Sequence, residues 1–194
     1  MLPATIAQSH RLYLLLLLLV IAQRLVELAV SRRNERRVRA RGALEFGAGH
    51  YPVMVTLHAA FLVSCPAEVL LLGRPFIPWL GFPMLALLLL TQTLRYWAIV
   101  TLGERWTTRI LVLTGTPPVL GGPYRFIRHP NYLAVIVEVF ALPLVHTAWI
   151  TALAFSLANA ALLRVRIRAE EAALSGASRY QAEFGDHPRF LPRP

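Results

Sequence analysis

Five apolar runs separated by polar stretches divide the chain. They are "LYLLLLLLVIAQRLVELAV" (12–30), "PVMVTLHAAFLVSCPAEVLLL" (52–72), "PWLGFPMLALLLLTQTLRYWAIV" (78–100), "NYLAVIVEVFALPLV" (131–145) and "AWITALAFSLANAALL" (148–163). A helix needs ~20 apolar residues to cross a ~30 Å hydrocarbon layer. The first three runs approach or exceed that length, and the last two are shorter and read as a hairpin turning at 143–147. The pattern predicts an all-α integral membrane protein of one domain over 1–194. Its membrane helices fall near 12–30, 52–72, 78–100, 130–145 and 148–164, and its polar segments at 31–51, 101–129 and 165–194. No basic region precedes the first run and no small-residue cleavage site follows it, so it reads as a retained helix and not a signal peptide.

Composition agrees: 56% of the 194 residues are hydrophobic and 15% charged, outside the usual range of soluble domains. The net charge of +10 would suit nucleic acid, but its distribution points elsewhere. Every basic residue is arginine. Six follow the first run (Arg32, Arg33, Arg36, Arg37, Arg39, Arg41), four lie between the third and fourth (Arg105, Arg109, Arg125, Arg128), and six follow the fifth (Arg164, Arg166, Arg168, Arg179, Arg189, Arg193). Arg11 and Arg74 fall on the other side. This sixteen-to-two split follows the positive-inside rule, which puts the N-terminus outside and the three basic segments in the cytosol. No nucleic-acid partner is expected. A lone cysteine, Cys65, excludes an intrachain disulfide. Without an internal repeat, a transporter is the weaker reading.

The polar material, and therefore any site, collects on the cytosolic side. The connection 101–130 carries a β-rich run at 107–113 followed by glycines and prolines. It is too long for a simple link and reads as a binding loop. It ends in "GPYRFIRHPNY" (122–132). Pro130 disfavours helix at His129 and suits a first helical turn itself, so a helix should start there. His129 then lies at a helix mouth whose free N–H groups attract an anion. The plainer alternative makes Arg125 and Arg128 snorkelling arginines, and Tyr124 and Tyr132 part of an aromatic belt.

In "RVRIRAEEAAL" (164–174), Arg166 and Glu170 share one helix face. Arginine before glutamate is the poorer order for an i,i+4 pair, and Glu170 and Glu171 sit near a helix C-terminus, where acids are unfavourable. Such violations of local rules point to function. Glu138 lies deep in the fourth run, where an ionisable group faces a cavity or a partner; either a substrate or a polar neighbour such as Asn159 would serve. Arg24 and Glu27 are read as a structural pair. Asn34, Glu45, His50 and Tyr51 are left without a role.

"GPYRFIRHPNY", then "RVRIRAEEAAL" about forty residues later, then "YQAEFGDHPRFLP", resembles the isoprenylcysteine carboxyl methyltransferase family of membrane enzymes that use S-adenosyl-L-methionine and release S-adenosyl-L-homocysteine. "RGALEFGAGHYP" resembles a bacterial branch that methylates alkylpyrones. The resemblance implies that the 101–130 connection and the C-terminal segment fold over the cofactor on the cytosolic side, leaving a passage from the bilayer. It assigns Tyr124, His129, Pro130, Asn131 and Tyr132 to the cofactor, and the Thr116, Pro118, Val119 turn as well. Glu171 is suited to accept from the ribose. Arg166 and Glu170 would face the substrate as the catalytic pair, with Glu138 a further substrate contact. Two departures are visible: Pro117 and Pro118 stand where some members have a histidine, and Ala134 stands where others have glycine. The implied activity is O-methylation of a lipophilic, membrane-partitioned small molecule, an alkylpyrone or alkylresorcinol-like hydroxyl, at a bacterial plasma membrane and with no metal or obligate protein partner. Methyl esterification of a prenylated cysteine carboxylate is the alternative; a non-catalytic transporter or scaffold is the alternative of another class.

Overall fold

The computed structural model describes residues 4–191, so Arg193 lies outside the described residues. Helix α1 (Ala4–Ala40) runs ten residues past its apolar part. The segment after Val30, expected as loop, stays helical because Ser31, Asn34 and Val38 continue one buried stripe at helical spacing. That stripe holds the start of the long connection. Asn34 Nδ2 donates to the carbonyls of Gly103 and Trp106 at 3.1 and 2.9 Å, and Ser31 Oγ accepts from the Thr108 amide at 2.9 Å.

Strand β1 (Leu44–Phe46) pairs antiparallel with β2 (Ile110–Val112), Leu44 opposite Val112 and Phe46 opposite Ile110. The β-rich run thus finds its partner across some 65 residues of chain, in a short ribbon at the end of an otherwise helical bundle. The remaining elements are α2 (Tyr51–Leu71), α3 (Pro78–Leu102), α4 (Pro130–Leu144), α5 (Trp149–Ala177) and the short α6 (Tyr180–Phe184).

Among the described residues, four helical spans are long and apolar enough to cross a membrane, at 7–40, 48–71, 78–105 and 149–177. Helix α4 begins at Pro130 and has 15 residues, about 22 Å at 1.5 Å per residue, so it falls short of a full crossing. Its turn into α5 is wrapped by protein: residues 141–148 are all buried. Tyr13 donates to the Leu142 carbonyl at 3.2 Å, and Thr147, at φ 55°, donates from Oγ1 to the Pro75 carbonyl at 2.7 Å. Polar backbone at a turn is tolerated near hydrocarbon when protein groups satisfy it in this way.

Helices α2 and α5 run antiparallel in a readable register. Glu68 accepts from the Ile150 and Thr151 amides at 3.1 and 2.6 Å, capping the start of α5. Nearer the other end of α2, the Phe61 and Phe155 rings lie 5.5 Å apart. Between α1, α3 and α4 sits a buried charge cluster in which Glu138 is ion-paired to Arg95 and lies 3.4 Å from Arg24, while Arg24 pairs with Glu27 at 2.6 Å. Two acids against two bases keep the cluster neutral at a depth where a lone charge is costly.

Candidate functional site

The connection 101–130 is folded back against α3 by a tight turn. Gly122 has φ +55°, and a Cβ there would lie 2.2 Å from Thr101 Oγ1, so only glycine fits without a shift. This turn seats Tyr124 against Ala98, Tyr180 and Phe184. Burial, together with the nearby Glu170 charge, pushes the Tyr124 phenol well above its ordinary pKa, so it stays a neutral hydroxyl.

The C-terminal segment then straps the motif at the start of α4. The amides of Arg128 and His129 donate to the carbonyls of Pro188 and Arg189 at 3.0 and 3.1 Å. Arg128 donates from Nε to the His187 carbonyl at 2.6 Å and from Nη2 to that of Gly185 at 2.8 Å. His129 is 4% exposed and its Nε2 lies 3.0 Å from Glu171 Oε1. Glu171 also takes both Nε and Nη2 of Arg189.

Behind this strap lies a cavity of about 450 Å³, well within the size range of small-molecule sites. Its polar end is lined by Arg105, Tyr124, His129, Asn131, Tyr132 and Tyr180, with the turn Thr116, Pro117, Pro118 and Val119 along one side. The lining from α1 and α2 is rich in apolar side chains, Ile21, Leu25, Leu28, Met54, Val55 and Leu62, with Arg24, Glu27, His58 and, from α3, Arg95 among them. Arg166 and Glu170 lie on the same cavity. Tyr132 donates to Glu170 Oε2 at 2.5 Å, and Arg166 donates from Nη2 to the Thr108 carbonyl at 2.9 Å while its buried Nε has no partner among the described residues.

Most of the residues singled out in the sequence therefore converge: Thr116, Pro118, Val119, Tyr124, His129, Asn131, Tyr132, Arg166 and Glu170 line one cavity. Three do not line it. Pro130 is buried as the first residue of α4, where its missing N–H costs nothing. Glu138 turns to Arg95 instead of a substrate, because in this bundle a buried carboxylate requires a cation. Glu171 is engaged by His129 and Arg189 and faces away from the cavity wall. Arg166 and Glu170 do not pair with each other among the described residues; each is bonded to a third group.

Sequence reasoning missed Arg105, Tyr180, Arg189 and His58 as neighbours of the site. Only the terminal "YQAEFGDHPRFLP" hinted at Tyr180 and Arg189, and nothing local marks the other two.

A fit to an adenosyl amino acid can be tested on the polar atoms left open. Asn131 Oδ1, the Tyr180 hydroxyl and Arg166 Nε are buried without partners among the described residues, a state that normally signals an absent hydrogen-bonding group. Asn131 Oδ1 and the Tyr180 hydroxyl supply an acceptor and a donor-acceptor beside two aromatic rings, a set that suits a nucleoside.

The family model of the isoprenylcysteine carboxyl methyltransferase (ICMT) family matches residues 84–176. An uncharacterized protein of Bacillus subtilis, YpbQ, is 47% identical over 164 residues, 84% of this chain and 96% of that one. An uncharacterized protein of Haemophilus influenzae is 30% identical over 159 residues, covering 80% and 91% of the two chains. The solved eukaryotic intramembrane Ras methyltransferase ICMT superposes with a TM-score of 0.42 at 22% identity, over 62% of this chain and 43% of that one. The fold defines a helical membrane protein. The chain belongs to the ICMT family.

Proposed function

We propose that the protein is an S-adenosyl-L-methionine-dependent O-methyltransferase of a lipophilic acceptor, an alkylpyrone or alkylresorcinol-like hydroxyl, working at the cytosolic face of a bacterial plasma membrane. The observation that carries this reading is one cavity with two kinds of lining: the polar 116–132 motif residues, and a stretch rich in apolar side chains between α1 and α2. A polar methyl donor and a greasy acceptor meet in such a space, and holding them together is most of the catalysis that methyl transfer needs.

The donor would supply a sulfonium methyl whose C–S bond breaks, sulfur keeping the electron pair, as the acceptor oxygen bonds to carbon. His129 and Asn131 at the mouth of α4, with Tyr124 and Tyr180, would hold its amino-acid and nucleoside parts. Arg166 orients the acceptor oxygen through its free Nε edge, its Nη2 being fixed by Thr108. Glu170, held by Tyr132, receives the hydroxyl proton when the acceptor is not already ionised. Glu171 positions His129 from behind in place of touching the ribose.

Labelled methyl transfer from S-adenosyl-L-methionine by the purified protein into candidate lipids tests the reading. A methyl ether survives mild base. A labelled product that releases methanol in base would mark esterification of a carboxylate, the reading that the family's name favours. Lack of any thermal shift with S-adenosyl-L-homocysteine would favour a non-catalytic membrane protein.

A further inference from the structure

Six arginines line the cavity, Arg24, Arg95, Arg105, Arg109, Arg128 and Arg166. Four of them are matched by acids: Arg24 pairs with Glu27 at 2.6 Å, Arg95 with Glu138, Arg109 with Glu45 at 2.6 Å, and Arg128 lies 3.7 Å from Glu171. Arg105 and Arg166 have no carboxylate partner among the described residues. A guanidinium is charged at any working pH, so these two leave uncompensated positive charge on the cavity. The proposed chemistry gives Arg166 the acceptor oxygen and leaves Arg105 without a part.

The chain fixes Arg105 on both sides. Asn34 Nδ2 donates to the carbonyls of Gly103 and Trp106 at 3.1 and 2.9 Å, and the Trp106 that follows Arg105 is buried. The guanidinium reaches the turn at 116–119, where Nη1 donates to the Pro117 carbonyl at 2.7 Å. The base of that turn is tied to the end of α5, since the Gly115 amide donates to the Ala177 carbonyl at 2.9 Å. Arg105 is half-buried. Of its five N–H groups, one is spent on Pro117 and the others have no partner among the described residues.

An unmatched guanidinium with an open edge, at the polar end of a cavity, calls for an anion, and its planar fork suits a carboxylate. Two sources of that group are compatible with the proposed reaction: the amino-acid part of the methyl donor, and an acceptor that is itself an acid. The placement favours the donor, because Arg105 is bonded to the 116–119 turn whereas the apolar lining that suits the acceptor comes from α1 and α2. We propose, resting on the S-adenosyl-L-methionine reading, that Arg105 binds the α-carboxylate of the cofactor through this open edge while its Nη1 braces the 116–119 turn.

The test compares two ligands of the full chain in detergent by isothermal titration. 5′-Methylthioadenosine keeps the nucleoside and thioether of S-adenosyl-L-homocysteine and lacks its amino-acid part. Arg105→Gln should weaken S-adenosyl-L-homocysteine about tenfold, the scale of a charge-assisted hydrogen bond reduced by partial exposure. Its affinity for 5′-methylthioadenosine should stay within about twofold of wild type, which also establishes that the site is folded. Arg105→Lys keeps the charge without the fork and should fall between the two.

Equal weakening of both ligands in Arg105→Gln would limit Arg105 to bracing the turn and overturns the proposal. Unchanged S-adenosyl-L-homocysteine affinity overturns it as well; if turnover of an acid acceptor is then lost, the guanidinium belongs to the acceptor's carboxylate. Should Arg105→Gln fail to melt cooperatively, Arg105→Lys decides: weaker S-adenosyl-L-homocysteine with 5′-methylthioadenosine unchanged supports the proposal, and any other pattern overturns it. A wild type that binds neither ligand overturns the S-adenosyl-L-methionine reading together with this inference, whereas one that binds both irrespective of Arg105 overturns the inference alone.

Discussion

Arg189 grips both oxygens of Glu171, with Nε at 2.9 Å and Nη2 at 2.6 Å. The bond to Glu171 raises the Arg189 pKa further, so the guanidinium stays charged. Arg189 belongs to the strap and Glu171 to α5, so this pair ties the C-terminal segment over the motif that includes His129. The guanidinium is half-exposed, which limits its worth through solvent and salt screening. Arg189→Ala should therefore weaken S-adenosyl-L-homocysteine binding by roughly fivefold at most at low salt, with the difference from wild type shrinking in high salt. Isothermal titration at two ionic strengths measures it. An affinity equal to wild type at low salt would put the strap beyond the cofactor's reach.

Glu138 gives the sharpest separation between a structural and a substrate role. Its carboxylate serves Arg95 and Arg24. Glu138→Leu leaves two buried guanidinium groups facing Glu27 alone, a loss of about 3–5 kcal/mol for an uncompensated buried charge. Removing a base together with the acid, in Arg95→Leu/Glu138→Leu, should recover much of the thermal stability in detergent. A Glu138→Leu protein that melts like wild type but changes its acceptor preference would return Glu138 to the substrate.

The long helices were legible because apolar length carries them, and the start of α4 because Pro130 states it. The extension of α1 was not, since the stripe Ser31, Asn34 and Val38 contains one apolar residue and gains its meaning only from the 103–108 segment packed on it. The β-rich run at 107–113 was visible, whereas its partner at 44–46 depends on the approach of distant chain. At the site, the motif residues were found and their pairings were not. The sequence places Glu138 near a polar residue, but only packing of α3 on α4 supplies Arg95. Likewise the adjacency of Glu170 and Glu171 hides that they point to different neighbours, Tyr132 and Arg189.

The arginine split predicts an orientation with both the end of α1 and the C-terminal segment in the cytosol. Arg36 and Glu183 are exposed, and Gly73 is exposed on the opposite side. On a background lacking the buried Cys65, cysteine at Arg36 or Glu183 should resist an impermeant thiol reagent in intact cells and react after permeabilisation, while cysteine at Gly73 should react in both. Labelling of Arg36→Cys and Glu183→Cys from outside would invert the orientation.

Arg166 carries the decisive chemical prediction. It is 4% exposed, with Nη2 spent on the Thr108 carbonyl and Nε left open. Lysine in its place keeps the charge and reaches one of these positions, but it lacks the planar fork that serves both at once. If the free edge orients the acceptor oxygen, Arg166→Lys should lower the methyl-transfer rate by roughly 10²-fold, the scale of losing one preorganised donor. Affinity for S-adenosyl-L-homocysteine should remain within about twofold, since the proposed function assigns the nucleoside and amino-acid contacts to Tyr124, His129, Asn131 and Tyr180. Glu170→Gln should slow a hydroxyl acceptor more than one supplied fully ionised, because only the former leaves a proton to place. Single-turnover rates across pH separate these effects. Wild-type rates in both variants would make Arg166 a bracket for the Thr108 segment and nothing more, and would move the search for the acceptor's anchor to the apolar lining of the cavity.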